Sequence, residues 1–358
     1  MRFFIITVGI LIGLMSGLLP FGSQQLKGAD WVAVADMRGS WSFTVGDDPL
    51  WALPESSTAG WDWLTVPSNW ESRYPEYNGY AWYRRAFSLP VIPPREHLVL
   101  FLGYIDDADE VFINGQKVGQ TGGFFPNFVS AYDVERRYVV PVSLLKKTGN
   151  VIAVRVYDDF RDGGIVRAGN FGLYYDRESD LLSVDLSGLW KFTTGQTGNM
   201  HALNLPDESW KEIYVPMDWE SQGYPDYDGV ACYRKRFIAP NALQGRDIFL
   251  VLGKIDDFDK VYLNGELIGQ VEELEQYSRF RRDQSFRLLR IYKIPPGLMR
   301  SKNLLSVEVS DSWGKGGIYE GPVGLATGEA VAKLKDRQRE NIFGDWNFWF
   351  RDLIDFFK

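Results

Sequence analysis

The chain has 358 residues, a formal net charge of −8, one cysteine and two histidines, with 15% aromatic residues that include 13 Trp. No run of Lys or Arg interleaves with aromatics, so the footprint of a nucleic-acid-binding protein is missing. Two unrelated histidines and one Cys leave little material for a zinc site or a Ser-His-Asp site. The 36 Gly and 17 Pro punctuate the sequence at short intervals, which fits many short strands and an all-β fold better than long helices.

Taken in order, residues 1–29 begin with Arg2 and continue through an uncharged apolar run from Phe3 to Leu19. That pattern predicts a secretory signal, and hence an extracytoplasmic (periplasmic or secreted) protein. The small-x-small cleavage pattern is poor, because Lys27 holds the minus-three position for cleavage after Ala29 and Phe21 holds it for cleavage after Ser23, so a retained N-terminal membrane anchor is the alternative.

From residue 38 the chain reads as one segment written twice. Gly39-Ser-Trp41-Ser-Phe43 and Gly188-Leu-Trp190-Lys-Phe192 alternate like half-buried strands. Val66-Pro67 and Val215-Pro216 stop a second strand, and each is followed by a Trp-Glu pair, Trp70-Glu71 and Trp219-Glu220. An aromatic loop comes next, with Tyr74, Tyr77, Gly79 and Arg84 matched by Tyr224, Tyr227, Gly229 and Arg234. Val111-Phe-Ile113 and Val261-Tyr-Leu263 run into Asn114-Gly115 and Asn264-Gly265, the dipeptide that accepts positive φ at both centres of a tight hairpin turn. Asn114 recurs as Asn264, about one domain length later. The loops after the hairpins diverge. Register returns at Arg136-Arg-Tyr138 and Arg290-Ile-Tyr292, and each copy closes with an Asn-led strand ending in Asp158 or Asp311, followed by Gly163-Gly-Ile165 or Gly316-Gly-Ile318.

Residues 329–358 fall outside the duplication. Trp346, Trp349, Phe350, Leu353 and Phe357 recur at helical spacing, which predicts an amphipathic helical tail whose aromatic stripe, within 343–357, is buried on the second sandwich, in a membrane interface or against a partner protein. Cys232 takes the place that Trp82 holds in the first copy and reads as a buried apolar residue.

The opening Gly-x-Trp, the Val-Pro then Trp, the Tyr-Arg-x-x-Phe strand, the Val-x-x-Asn-Gly hairpin, the Asn-led strand and Gly-Gly-Ile make up a set. Over residues 38–176 and 187–326 it resembles the sugar-binding module of glycoside hydrolase family 2 enzymes. The resemblance implies two tandem jelly-roll β-sandwich domains of the galactose-binding-like type, with carbohydrate as the partner. In that family a catalytic (β/α)₈ barrel follows the module, and such a barrel takes about 250 residues. No catalytic pair of the family maps onto this chain, so a non-catalytic binding protein is expected. A glycoside hydrolase or accessory subunit and a structural or protein-binding envelope component are the alternatives.

Sugar recognition uses flat aromatic faces together with fixed carboxylates or guanidinium groups. The candidates are Trp70, Glu71, Tyr74, Tyr77, Arg84 and Asp158, with Trp219, Glu220, Tyr224, Tyr227, Arg234 and Asp311 as their copies. Asp106-Asp107-x-Asp109 and Asp256-Asp257-x-Asp259 invite a calcium reading. Adjacent strand residues point to opposite faces, however, so strand-end and turn hydrogen bonding is favoured there and no cofactor is expected.

Overall fold

The computed structural model describes residues 30–195, 198–243, 245–272 and 285–338, and these form four antiparallel sheets packed as two sandwiches. The predicted signal segment, the 343–357 stripe and most of the loop after the second Asn-Gly hairpin lie outside the described residues. The first sandwich contains β1 (Trp31–Asp36), β2 (Gly39–Val45), β3 (Asp62–Val66), β4 (Ser68–Asn69), β5 (Gly79–Phe87) and β6 (His97–Asp106). It continues through β7 (Ala108–Ile113), β8 (Gln116–Thr121), β9 (Glu135–Pro141), β10 (Asn150–Asp158), β11 (Gly164–Arg167) and β12 (Gly172–Asp176). The second contains β13 (Val184–Asp185), β14 (Gly188–Thr194), β15 (Lys211–Val215), β16 (Gly229–Ile238) and β17 (Ile248–Asp256). Its remaining strands are β18 (Phe258–Leu263), β19 (Glu266–Val271), β20 (Leu289–Lys293), β21 (Lys302–Asp311) and β22 (Gly317–Thr327).

One sheet of each sandwich runs β3-β2-β5-β10-β7-β8 or β15-β14-β16-β21-β18-β19, so corresponding strands sit in corresponding places. The facing sheet is built on β6, with β9 on one side and β11 and β12 sharing the other. In the second sandwich β17 has β20 on one side, and the long β22 runs the full length of the other.

Alternation along the strands fills the cores. Trp41, Phe43, Tyr83, Leu100, Ile152 and Val154 are buried between the first pair of sheets, and Trp190, Phe192, Tyr233, Leu250, Leu305 and Val307 between the second. The hairpin turns have the expected chemistry: φ is +52° at Asn114 and +82° at Gly115, and +53° at Asn264 and +89° at Gly265. Each turn Asn also donates to the Asn at the start of β10 or β21, at 3.1 Å from Asn114 to Asn150 and 2.9 Å from Asn264 to Asn303. Two of the recurring asparagines thus form one joint.

After β22 a helix spans 328–338, its first turn capped by the Thr327 hydroxyl, which accepts from the Ala330 N–H at 3.4 Å. Ala330, Val331 and Leu334 pack on Val251 and Ala326, on the outer side of the β17–β22 sheet. Among the described residues no helix is long and apolar enough to cross a membrane.

The connector between the sandwiches is tied down by Arg95, which lies 4.0 Å over the Tyr175 ring and donates to Ser179 and Asp180. At the end of β12, burial holds the Asp176 carboxyl up at about 7, and Glu178 and Glu320 add to the rise. A carboxyl raised in the folded state binds more protons there than in the unfolded chain, so its contribution is present below pH 4 and lost as pH rises through about 7. Urea unfolding at pH 5 and pH 8 should therefore show wild type losing more stability on raising the pH than Asp176→Asn loses.

Candidate functional site

At one rim of each sandwich three chain ends converge. β6 stops at Asp106, Asp107 forms the link to β7, and β10 stops at Asp158, while β11 pairs with Asp106 through Gly164. One carboxylate oxygen from each of Asp106, Asp107 and Asp158 lies within 4.8 Å of the other two, and Asp256, Asp257 and Asp311 repeat the arrangement in the second sandwich. The peptide joining each Asp-Asp pair is cis. Because the pair sits at a break between strands, the rule that neighbours face opposite ways does not govern it.

The third aspartate expected in this cluster goes elsewhere. Asp109, one residue into β7, is fully buried against Arg136 at 2.7 Å and accepts from the Tyr138 hydroxyl at 2.5 Å, as Asp259 does from Arg290 and Tyr292. Asp158 takes its place. This pairing was not legible in the sequence, because β10 returns to the Asp106 rim only through the sheet order.

Asp107 is held by the Asp159 N–H at 3.0 Å and by the Ser130 hydroxyl, and Asp257 by the Ser312 N–H at 3.2 Å. Asp158 is 0% exposed and Asp311 2% exposed, and neither oxygen of either one has a hydrogen bond of ordinary geometry. Only nearby backbone N–H groups, of Phe160 in one case and of Trp313 and Ser312 in the other, pull against the effect of burial. Burial, reinforced by Asp106 and Asp107, pushes Asp158 up to about 7; burial and Asp257 push Asp311 up to about 6. Asp106 and Asp256 are raised by burial and by their hydrogen-bonded neighbours Asp107 and Asp257. Glu71 and Glu220 stand behind these groups, accepting from the N–H of Gly163 at 2.8 Å and of Gly316 at 3.0 Å. Burial lifts Glu220 to about 7.

The aromatic candidates occupy a different environment from the one expected of them. Trp70 and Trp219 are 0% exposed, so they offer no face to a ligand as folded. Their indole N–H groups donate to the carbonyls of Tyr77 at 3.2 Å and Tyr227 at 3.1 Å, stapling the loop closed. A Cβ on Gly163 or Gly316 would fall inside the Trp70 or Trp219 ring, which explains the first glycine of each Gly-Gly-Ile. Tyr74 donates to Asp62, Tyr77 to the Tyr80 carbonyl at 2.8 Å and Tyr227 to the Val230 carbonyl at 2.8 Å, and Tyr224 packs on Phe192. These are half-buried loop staples.

Arg84 and Arg234 also depart from expectation. Each follows a core tyrosine on its strand and therefore points to the outer side of the sheet. There Arg84 donates to the carbonyls of Trp51 and Pro54, and Arg234 to those of Leu205 and Ala202 with Asp207 3.2 Å away. Of the twelve candidates, the carboxylates Glu71, Asp158, Glu220 and Asp311 are the ones brought to the acidic rim.

Beside that rim the first sandwich carries, alone among the described residues, an aromatic cluster centred on Tyr157. Its ring lies 4.7 Å from Tyr80, 5.6 Å from Phe125 and 5.5 Å from Phe128. Tyr80 stacks on Phe124, and the Arg155 guanidinium sits 4.6 Å over both rings. Phe125 and Phe160 are 58% and 66% exposed. In the second sandwich Val230 and Ser310 pair where Tyr80 and Tyr157 pair in the first, and Trp313, at 85%, stands exposed beside Asp311. Tyr157 escaped the sequence-based candidate set because Ser310 takes its place in the other copy, and Phe160 because its counterpart, Trp313, is a different residue outside the shared motifs.

No family model matches the chain, and no curated protein matches it. Solved structures similar to it include a Bacteroides uniformis β-glucuronidase (17% identity, TM-score 0.34, 77% of this chain and 27% of that one). A glycosyl hydrolase family 2 member from Bacteroides cellulosilyticus DSM 14838 matches at 12% identity and a TM-score of 0.33, over 77% of this chain and 31% of its own. Bifidobacterium dentium β-glucuronidase matches at 13% identity and 0.32, over 77% and 41%. The chain spans well under half the length of each of these structures.

The burial of Trp70 gives a direct expectation. Trp70→Ala should cost about 3–5 kcal/mol in denaturant unfolding through the cavity it leaves, and Gly163→Ala about 1–3 kcal/mol through overpacking against the same ring. Unfolding midpoints within error of wild type for both would contradict the placement of Trp70 in the core.

Proposed function

We propose that the chain is an exported carbohydrate-binding protein made of two jelly-roll modules of the glycoside hydrolase family 2 sugar-binding type, and that the first module takes the sugar. The observation that carries this reading is the aromatic cluster around Tyr157, open at Phe125, with the exposed Phe160 two residues beyond Asp158 and a rim of carboxylates beside it. A pyranose has an apolar face that stacks on such rings and hydroxyls that seek fixed acceptors. The shared sequence motifs support the module type, and the apolar run after Arg2 supports export.

Binding without turnover is part of the proposal, and aryl-glycosides should pass through unhydrolysed. On a glycan array the full chain should retain a defined sugar class, and Phe125→Ala or Phe160→Ala should weaken that binding by about 1–3 kcal/mol, the scale of stacking on an aromatic face. Both side chains are mostly solvent-exposed, so the melting temperature should stay unchanged. An array blank for the folded wild type would turn the reading toward an envelope component that docks a protein on the same aromatic surface.

A further inference from the structure

We propose that Asp106, Asp107 and Asp158 in the first sandwich, and Asp256, Asp257 and Asp311 in the second, each bind one calcium ion. The inference does not depend on whether the chain binds sugar. Its starting point is an imbalance. Three carboxylates converge within 4.8 Å in each sandwich, with a fourth, Glu71 or Glu220, close enough to act on their charge. The buried cation nearby, Arg136 or Arg290, is already committed to Asp109 or Asp259 and to backbone carbonyls. Clustered acids alone would not identify a site. The deciding feature is that Asp158 and Asp311, almost wholly withdrawn from water, make no hydrogen bond of ordinary geometry through either oxygen, with only the N–H groups of Phe160 or of Trp313 and Ser312 nearby, and lie against the other two acids, twice over in separate sandwiches. A buried polar group left unpaired costs free energy that a ligand would recover.

The donor set favours calcium: three carboxylates gathered within 4.8 Å of one another suit an ion that takes six to eight oxygen ligands in a flexible shell, whereas magnesium demands strict octahedral order and usually keeps several of its waters. All three donors are hard carboxylate oxygens, and among them no sulfur or imidazole favours a transition metal. Asp106 and Asp256 are half-buried, which gives the ion an entry from solvent, and water can complete the coordination there.

The test uses the full chain, stripped with EGTA and titrated with calcium chloride by calorimetry, alongside thermal unfolding. Wild type should take up two ions and gain melting temperature. Asp158→Asn and Asp311→Asn should each lose one site, or weaken it roughly tenfold or more, leaving the other sandwich as internal control, and the double variant should bind none. Without calcium, Asp158→Asn should melt above stripped wild type, because it removes a buried, unbalanced charge. If Asp158→Asn does not fold, Asp106→Asn at the pocket mouth replaces it. Absence of calcium binding and of any thermal shift in folded wild type would overturn the proposal. So would an unchanged stoichiometry in the double variant, or uptake of magnesium but not calcium.

Discussion

The constraint on which both sandwiches rest is a buried guanidinium with every hydrogen placed. Arg136 donates through Nε to Asp109, through Nη1 to the Ala131 and Val134 carbonyls, and through Nη2 to those of Ile105 and Asp107. Arg290 makes the same five bonds to Asp259 and to the carbonyls of Ser285, Leu288, Ile255 and Asp257. A guanidinium has five N–H donors, so none is left unpaired in the core. Both charges are withdrawn from water, which is costly, and removing one partner of such a pair typically costs about 3–5 kcal/mol. The consequence is local order. The carbonyls on either side of Asp106 are pinned, and the link between two strands holds a fixed shape that aims two carboxylates at the end of a third strand.

The acidic rim depends on that clamp from one side and on the Trp staple from the other. Trp70 anchors its loop to the Tyr77 carbonyl and closes over Gly163, whose N–H in turn holds Glu71 behind the acids. The second sandwich preserves every one of these elements, from Trp219 and Gly316 to Glu220. The aromatic surface outside the rim varies independently: Tyr80 and Tyr157 give way to Val230 and Ser310 without disturbing the strand pairing beneath them. The shared features therefore shape the acidic rim, while among the described residues the aromatic surface beside it differs between the two sandwiches.

Cys232 shows the same independence on the outer side of the sheet. It stands where Trp82 packs against Phe112 in the first sandwich, and it is buried enough to push its thiol up to about 12. In the first sandwich Ala52, Trp51 and Trp61 pack around Trp82, and the segment that supplies them differs in sequence in the second copy.

The sequence by itself determined the strands, the turns and their repetition, because those are encoded over short distances: alternation every second residue, Asn-Gly at a hairpin, Pro where a strand stops. It also marked the residues that matter structurally, since Trp70, Arg84, Arg136, Asp109 and Asp158 all recur. What only the tertiary structure decided was the role each of them takes. Trp70 is a type that binds sugars and a type that fills cores, and its neighbours Gly163 and Phe43, far away in the chain, made it core. Arg84 was turned from the rim by strand parity and by carbonyls some thirty residues upstream. Asp109 was drawn to Arg136 and Asp158 to Asp106 and Asp107, because charge and burial act through space while spacing in sequence says nothing of which strand ends will meet.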